Sequence, residues 1–536
     1  MANFSLHAYD ADVWVQEFKG LNQAAISMNQ DIRYAVTATN VETPNGVLQP
    51  QAAPETLPGA FDSRVETLAC FHRRWYQGTG SKDWYVCCVD GKFYQKQAGT
   101  SQPWDEIAMP SGVSAFQSST WSWVTYETHP EDDEETDTVD VLLLSNAEDG
   151  MIMIVPPDRP NTWRDVQEHT WNWVHDMTWM EVISPQWNIQ QITECPYKFG
   201  VIERYAERIW GGAITENPDR LVYSAPYDPT DWDENPDIPE DGAGEVDQPT
   251  WDGDKFYALK RFGDQLLAFK KNTVWRVIGT SPGEYTFSEQ YGGGTSFFNT
   301  IAVENERVFM ESVNGLCVYD GMSTSPYLQE SVRDIWKTVN RNALSQMCAA
   351  IFRDKYYVAF PTGDSETNNA MLVYNMKEGT ILFYDDFHVE SFLRTDDELF
   401  YTSSVTPGTV SIMRYDSWDT GNAIGKATRW VSPWIDFGYK SIQKGGFEIY
   451  FVPEVQDKAV TLRFSVQTEK KTKTKEYTIQ PLTAEQKRAG KEIRGKRLHF
   501  GGNGRRFRVM IETSAGVTAP WRLIGGLQMI VETDPD

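Results

Sequence analysis

The chain has 536 residues; 40% of them are apolar, and 20 Trp, 24 Tyr and 26 Phe supply large side chains for a core. With 39 Gly and 27 Pro, this composition favours strands and tight turns over helices. A formal charge of −27 keeps the body away from nucleic acid. The apolar runs, such as Val141–Leu144 and Met151–Val155, are short and fall far below the roughly 18 residues of a membrane helix.

Residues 1–60 read as an extended N-terminal arm, and Met1–Val15 has neither the basic nor the apolar segment of a secretory signal. From there one unit recurs: an apolar strand, a polar turn and a second strand. It is clearest at Trp84–Tyr94, Val139–Val155, Arg208–Ser224, Tyr257–Ile278, Ile301–Tyr319, Ala349–Phe360 and Phe392–Thr402. Successive turns near Gly263, Glu304, Arg353 and Asp396 are 41, 49 and 43 residues apart, the period of a four-stranded propeller blade.

The fold class predicted is all-β: a six- or seven-bladed β-propeller-like body over 61–425, followed by a C-terminal β-sandwich-type module over 430–536. In the module, 446–451, 460–467, 476–479, 506–513 and 527–532 alternate as strands. Leu482–Lys491 reads as a helix opened by a Thr483/Gln486 capping box.

Two inserts interrupt the body. Glu131–Asp137 is a block of like charge, and Asp228–Asp254 is acidic and rich in Pro and Gly, so both read as exposed loops. A Trp-rich region runs from Trp104 to Trp187. It includes the pairs Trp121/Trp123 and Trp171/Trp173, each spaced for one strand face, together with Trp163 and Trp179. Propeller core is the favoured reading there, and a sugar-stacking platform is the alternative.

No GxSxG elbow, P-loop or dinucleotide fingerprint occurs. The triple glycine Gly292–Gly294 reads as a turn, not a phosphate cradle. His169 and His175, with Asp176, are too few for a zinc site. Cys87 and Cys88 are adjacent, so their side chains point to opposite strand faces. None of the six cysteines forms a CxxC, and all read as small buried residues. No catalytic centre, cofactor or metal is expected.

Charge is uneven along the chain. Residues 430–536 hold 18 basic and 12 acidic residues, leaving 31 basic against 64 acidic in the remainder. The basic stretch of the module contains Lys471, Lys473 and Lys475, expected on one strand face, and Arg494 and Arg497 beyond them. These five form the candidate interface; guarding a sheet edge is the alternative role for the lysines.

Three stretches in order resemble phage tail proteins. Asp219–Trp232 (DRLVYSAPYDPTDW) carries an S-x-P-x-D-P-x-x-W turn, Gly263–Gly279 and Val308–Gly321 resemble the paired blades after it, and Trp430–Gly438 (WVSPWIDFG) resembles the start of a C-terminal β-module. The chain thus resembles, over roughly 200–536, the tail hub or nozzle β-propeller proteins of short-tailed bacteriophages.

The resemblance implies a structural virion protein with no enzymatic activity. It would form a ring, as a hexamer, below the portal and adaptor, beside other tail proteins such as fibres or a needle. Genomic DNA would pass through without specific binding. The location implied is the virion tail, after assembly in the host cytoplasm. A phage receptor- or glycan-binding propeller is the alternative.

Overall fold

The computed structural model describes residues 9–24, 30–59, 61–73, 82–128, 139–156, 187–193, 195–250, 252–290, 292–304, 306–312, 315–483, 485–486 and 495–533. Alternating apolar residues and two-residue turns make antiparallel hairpins along most of this length. The turns near Gly263, Glu304, Arg353 and Asp396 are structurally equivalent: each joins the first and second strands of a four-stranded set. At Arg353–Asp354 both φ angles are positive, 49° and 59°, as the tightest hairpin turns require.

Among the described residues, seven such sets follow one another. They begin at Thr67–Arg73, Ser122–Thr128, Val201–Tyr205, Phe256–Phe262, Ala302–Glu304, Cys348–Phe352 and Ser391–Arg394. The body is all-β and propeller-like. A separate apolar cluster seals each junction between neighbouring sets, and Leu393, Phe400 and Ile412 of the last pack with Leu68 and Cys87 of the first. Cys87 and Cys88 face two of these junctions: Cys87 belongs to the closing cluster and Cys88 to the next one round. Opposed side-chain directions in one strand thereby bind three sheets together.

The N-terminal arm is woven through the last two sets and the C-terminal module. Glu55–Thr56 is the fourth strand of the last set, beside Val410–Ile412. Thr37–Thr39 pairs parallel to Thr380–Asp385 and antiparallel to Thr428–Val431. This three-residue strand joins the sixth set and part of the C-terminal module into one nine-stranded sheet, which runs on through Arg508–Thr513 and Val460–Gln467 to Thr472–Ile479. Tyr9–Val15 pairs with Trp521–Thr533, beginning a second sheet that continues to Lys444–Val455 and Lys496–Phe500.

The two sheets bury their inner faces against each other. Phe451 and Phe464 meet at 4.5 Å between ring centroids, and Phe18 stands edge-on to Trp430 at 5.1 Å. Burying each phenylalanine contributes roughly 1.5–3 kcal/mol. The arm lies close to the body where a glycine permits it. A Cβ at Gly20 would stand 2.0 Å from the Ile381 carbonyl oxygen, which accepts a hydrogen bond from Leu21 N at 2.6 Å.

Several sequence expectations need correction. The expected exposed loop over Asp228–Asp254 contains a strand, Gly244–Asp247, and a buried indole at Trp232. Two buried cations pin it. Arg208 donates to the carbonyls of Ser224 (2.7 Å), Gly242 (2.6 Å) and Glu240. Lys270, fully buried, donates to Asp219 (2.7 Å) and to the carbonyls of Gln248 (2.7 Å) and Asp254 (2.9 Å). A segment with eleven carboxylates and no basic residue is therefore held from below by charge-assisted hydrogen bonds.

In the module, Lys496–Phe500 is a strand that its short polar sequence conceals. The Thr483/Gln486 capping box is present, with reciprocal bonds of 3.0 and 3.2 Å. The remainder of the expected Leu482–Lys491 helix, like Glu131–Asp137, lies largely or wholly outside the described residues.

Candidate interaction surface

Among the described residues, the module ends in two open sheet edges. Thr472–Ile479 closes the nine-stranded sheet and Lys496–Phe500 closes the second one. Lys473 and Lys475 pair with Val466 and Phe464, whose side chains are buried, so both lysines share the inner face of their strand at its exposed rim. The Lys475 ammonium lies 5.8 Å from the Phe500 ring centroid, and the Lys473 ammonium sits over Gly501, 3.2 Å from where a Cβ would stand. The stems thus cover the gap between the two edges while the charges meet water.

Lys471 does not belong to that face. It precedes the strand in a tight turn, where its carbonyl accepts from Thr468 N at 2.8 Å. Arg497, on the second edge, is ion-paired to Glu448 and lies 5.3 Å over the Tyr450 ring. His499 also contacts Glu448, at 3.1 Å. Burial pushes the Glu448 carboxyl up, but hydrogen bonds from Arg497 and His499 outweigh it and hold the group below its usual range. Arg494 lies outside the described residues. The candidate residues described here therefore gather along one side of the module, with Lys473 and Lys475 turned inward instead of outward.

The outer face of the nine-stranded sheet offers a second feature. Arg429, Glu512, Arg463 and Glu476 form a row across four strands with alternating charge, including ion pairs of 3.2 Å (Arg429–Glu512) and 3.4 Å (Arg463–Glu476). Paired hydroxyls flank the row, Thr461/Thr478 and Ser465/Thr474, each at 2.8 Å. The row lines an open groove of about 1220 Å³ that reaches Asp385, Asp386 and Lys426 on the propeller side. Exposed pairs of this kind stabilise by about 0–1 kcal/mol. The row was invisible in the sequence, because its members come from four strands spread over more than 80 residues that only the sheet register aligns.

On the body, the S-x-P-x-D-P-x-x-W stretch is a structural turn. Asp228 accepts from Thr230 N (2.8 Å) and Oγ1 (2.6 Å), Ser224 Oγ accepts from Ile209 N (3.1 Å), and Trp232 Nε1 donates to the Pro229 carbonyl (3.1 Å). Gly292–Gly294 serves close backbone approach: a Cβ at Gly294 would stand 2.0 Å from the Lys270 carbonyl oxygen. Trp104, Trp121, Trp123 and Trp187 pack into the junctions on either side of the first set. Trp163, Trp171, Trp173, Trp179, His169 and His175 lie outside the described residues.

Burial pushes the thiols of Cys70, Cys88 and Cys195 up to about 12, where a thiolate nucleophile is scarce. Among the described residues, no group of three or more His, Cys, Asp or Glu could hold a metal ion. No helix among them is long and apolar enough to cross a membrane.

No protein-family model matches the chain, and no curated protein matches it. Solved structures do. PorZ, a surface component of the type-IX secretion system of Porphyromonas gingivalis, is 9% identical with a TM-score of 0.32; the match covers 71% of this chain and 42% of that one. The Pan2 WD40 domain of Neurospora crassa is 10% identical with a TM-score of 0.34, over 68% of this chain and 97% of that one.

Proposed function

We propose that this chain is a structural ring subunit of a phage tail, of the hub or nozzle type found below the portal and adaptor of short-tailed virions. Its body is a propeller of seven blades and its C-terminal module a β-sandwich. The protein acts mechanically, without catalysis or cofactor, in the virion tail after assembly in the host cytoplasm.

The observation that carries this reading is the nine-stranded sheet. Through Thr37–Thr39, a strand of the body and the module share one hydrogen-bonded sheet, so the two move as one stiff piece. A subunit whose two parts are tied through one sheet and whose sides differ suits head-to-tail contacts that close a ring. Charge supports the same reading. The acidic remainder of the chain repels phosphates, so passing DNA slides instead of sticking. The basic side of the module is suited to an acidic face of a neighbour. The glycan-binding alternative rests on Trp163, Trp171, Trp173 and Trp179; the tryptophans described from the same region are spent in the core.

The test is to replace Lys471, Lys473 and Lys475 together by Glu. Each surface change costs within about 0.5 kcal/mol, so the monomer folds. Assembly should slow sharply at low salt, and the defect should fade as salt screens it, with a Debye length of about 8 Å at physiological ionic strength. Assembly at the wild-type rate across the salt series would leave the lysines as edge guards only.

A further inference from the structure

Among the described residues, the second sheet of the module has two open edges of opposite character. One edge is Tyr9–Val15 of the arm; the other, three strands away, is Lys496–Phe500. On the outer face the register aligns Asp12, Ile530, Glu448 and His499 in one row, and Trp14, Gln528, Tyr450 and Arg497 in the next. On the inner face it aligns Val13, Met529, Ile449 and Leu498. The arm edge thus presents an exposed carboxylate and an indole 55% exposed outward, with valine inward. The far edge presents a guanidinium and an imidazole outward, with leucine inward.

We infer that these two edges join between copies: the Tyr9–Val15 strand of one molecule adds to the Lys496–Phe500 strand of the next, continuing the sheet around the ring. This inference rests on the ring reading and names its interface. The occupant is a second copy of this chain because the two edges complement each other on both faces. Continued antiparallel with its faces matched, the sheet sets Asp12 opposite His499 with Val13 opposite Leu498, or, two residues along, Asp12 opposite Arg497 with Ala11 opposite Leu498. Main-chain hydrogen bonds supply the affinity and the alternating side chains the specificity, as in other strand-addition complexes. The contact is heterologous, since opposite edges of one sheet meet, and so builds a ring where its rotation closes instead of an isolated dimer. It also accounts for the open arm edge, which would otherwise be a hazard for aggregation, and for the exposure of Trp14.

Cysteine cross-linking tests this directly. Within one molecule the two edge strands are separated by three strand spacings, about 14 Å. A disulfide needs Cα atoms roughly 4.4–6.8 Å apart, so it cannot form inside one chain. Two double variants, Asp12→Cys with Arg497→Cys and Asp12→Cys with His499→Cys, cover the two face-matched registers that set Asp12 opposite a basic residue. The full-length chain is oxidised and run without reductant, with each single variant as the background for the six native thiols. A ladder of covalent oligomers from a double variant, absent from its single variants, is the expected result. If neither double variant cross-links while the wild-type chain forms rings in solution, the edge inference fails and the ring reading stands. If the wild-type chain stays monomeric at all concentrations, both fail.

Discussion

Glu311 sits where a carboxylate should not be. It lies in the strand Arg307–Ser312, is 1% exposed, and neither of its carboxyl oxygens has a hydrogen-bond partner. Leu316, Val332, Trp336, Tyr356 and Val358 surround it in a small apolar cavity between the fifth and sixth sheets. Burial pushes its pKa well above the ordinary 4.5, so the folded protein keeps the group protonated at pH values where the unfolded chain has released it. The sign follows: this position costs nothing electrostatically below about pH 4.5 and destabilises increasingly as pH rises towards the folded-state value. Even neutral, the unpaired carboxyl costs about 1–3 kcal/mol.

Glu311→Leu, close in volume, should recover that amount near pH 7 and flatten the pH dependence. At about 2.1 cal/mol/K per residue, a cooperative unit of about 350 residues has an unfolding entropy near 0.7 kcal/mol/K, so a gain of about 3 kcal/mol raises Tm by about 4 °C. Glu311→Gln should remove the pH dependence with less of the gain. Thermal melts of the three proteins from pH 5 to 8 provide the assay. A Leu variant less stable than wild type across this range would refute the reasoning, because it would mean that the carboxyl has a partner worth more than its burial costs.

Other outcomes follow from the pinned segments. Arg208→Ala strands three carbonyls that now share one guanidinium and should cost about 2–4 kcal/mol; limited proteolysis should then cut first within 228–254. Resistance there equal to wild type would show that Arg208 does not hold the loop. Gly20→Ala forces a methyl group to within 2.0 Å of the Ile381 carbonyl oxygen and should loosen the arm, seen as faster amide exchange over 9–24 with the third and fourth sheets unaffected. Unchanged exchange over 9–24 would mean that the arm is anchored elsewhere.

Much of the body was legible because hairpins are local. Gly263, Glu304, Arg353 and Asp396 announced equivalent turns, since each lies in a short polar link between two apolar strands that pair with each other. What stayed hidden was non-local. Glu55–Thr56 is two exposed polar residues, and only their place beside Ser411 and Ile412 makes them a strand. Tyr9–Val15 alternates like a strand, but its partner lies more than 500 residues away. Lys496–Phe500 offered only Leu498 and Phe500 as apolar signals.

The interaction surface was half legible. The alternation of Lys473 and Lys475 was readable, but which way they face depends on the burial of Phe464 and Val466 across the ladder. The loop 228–254 misled for a related reason. Its many carboxylates suggested solvent, whereas Arg208 and Lys270, which hold it, precede or follow it in the chain and look like surface residues in sequence.

The central claim is that copies of this stiff, two-part subunit close into a ring. Native mass measurement of the purified full-length chain over a range of concentrations and salt tests it most directly. The account predicts a discrete species at one integral multiple of the protomer mass, six for a hexamer, that dissociates as ionic strength rises. A mass that stays at one protomer under every condition, or that grows without limit into open filaments, would contradict it.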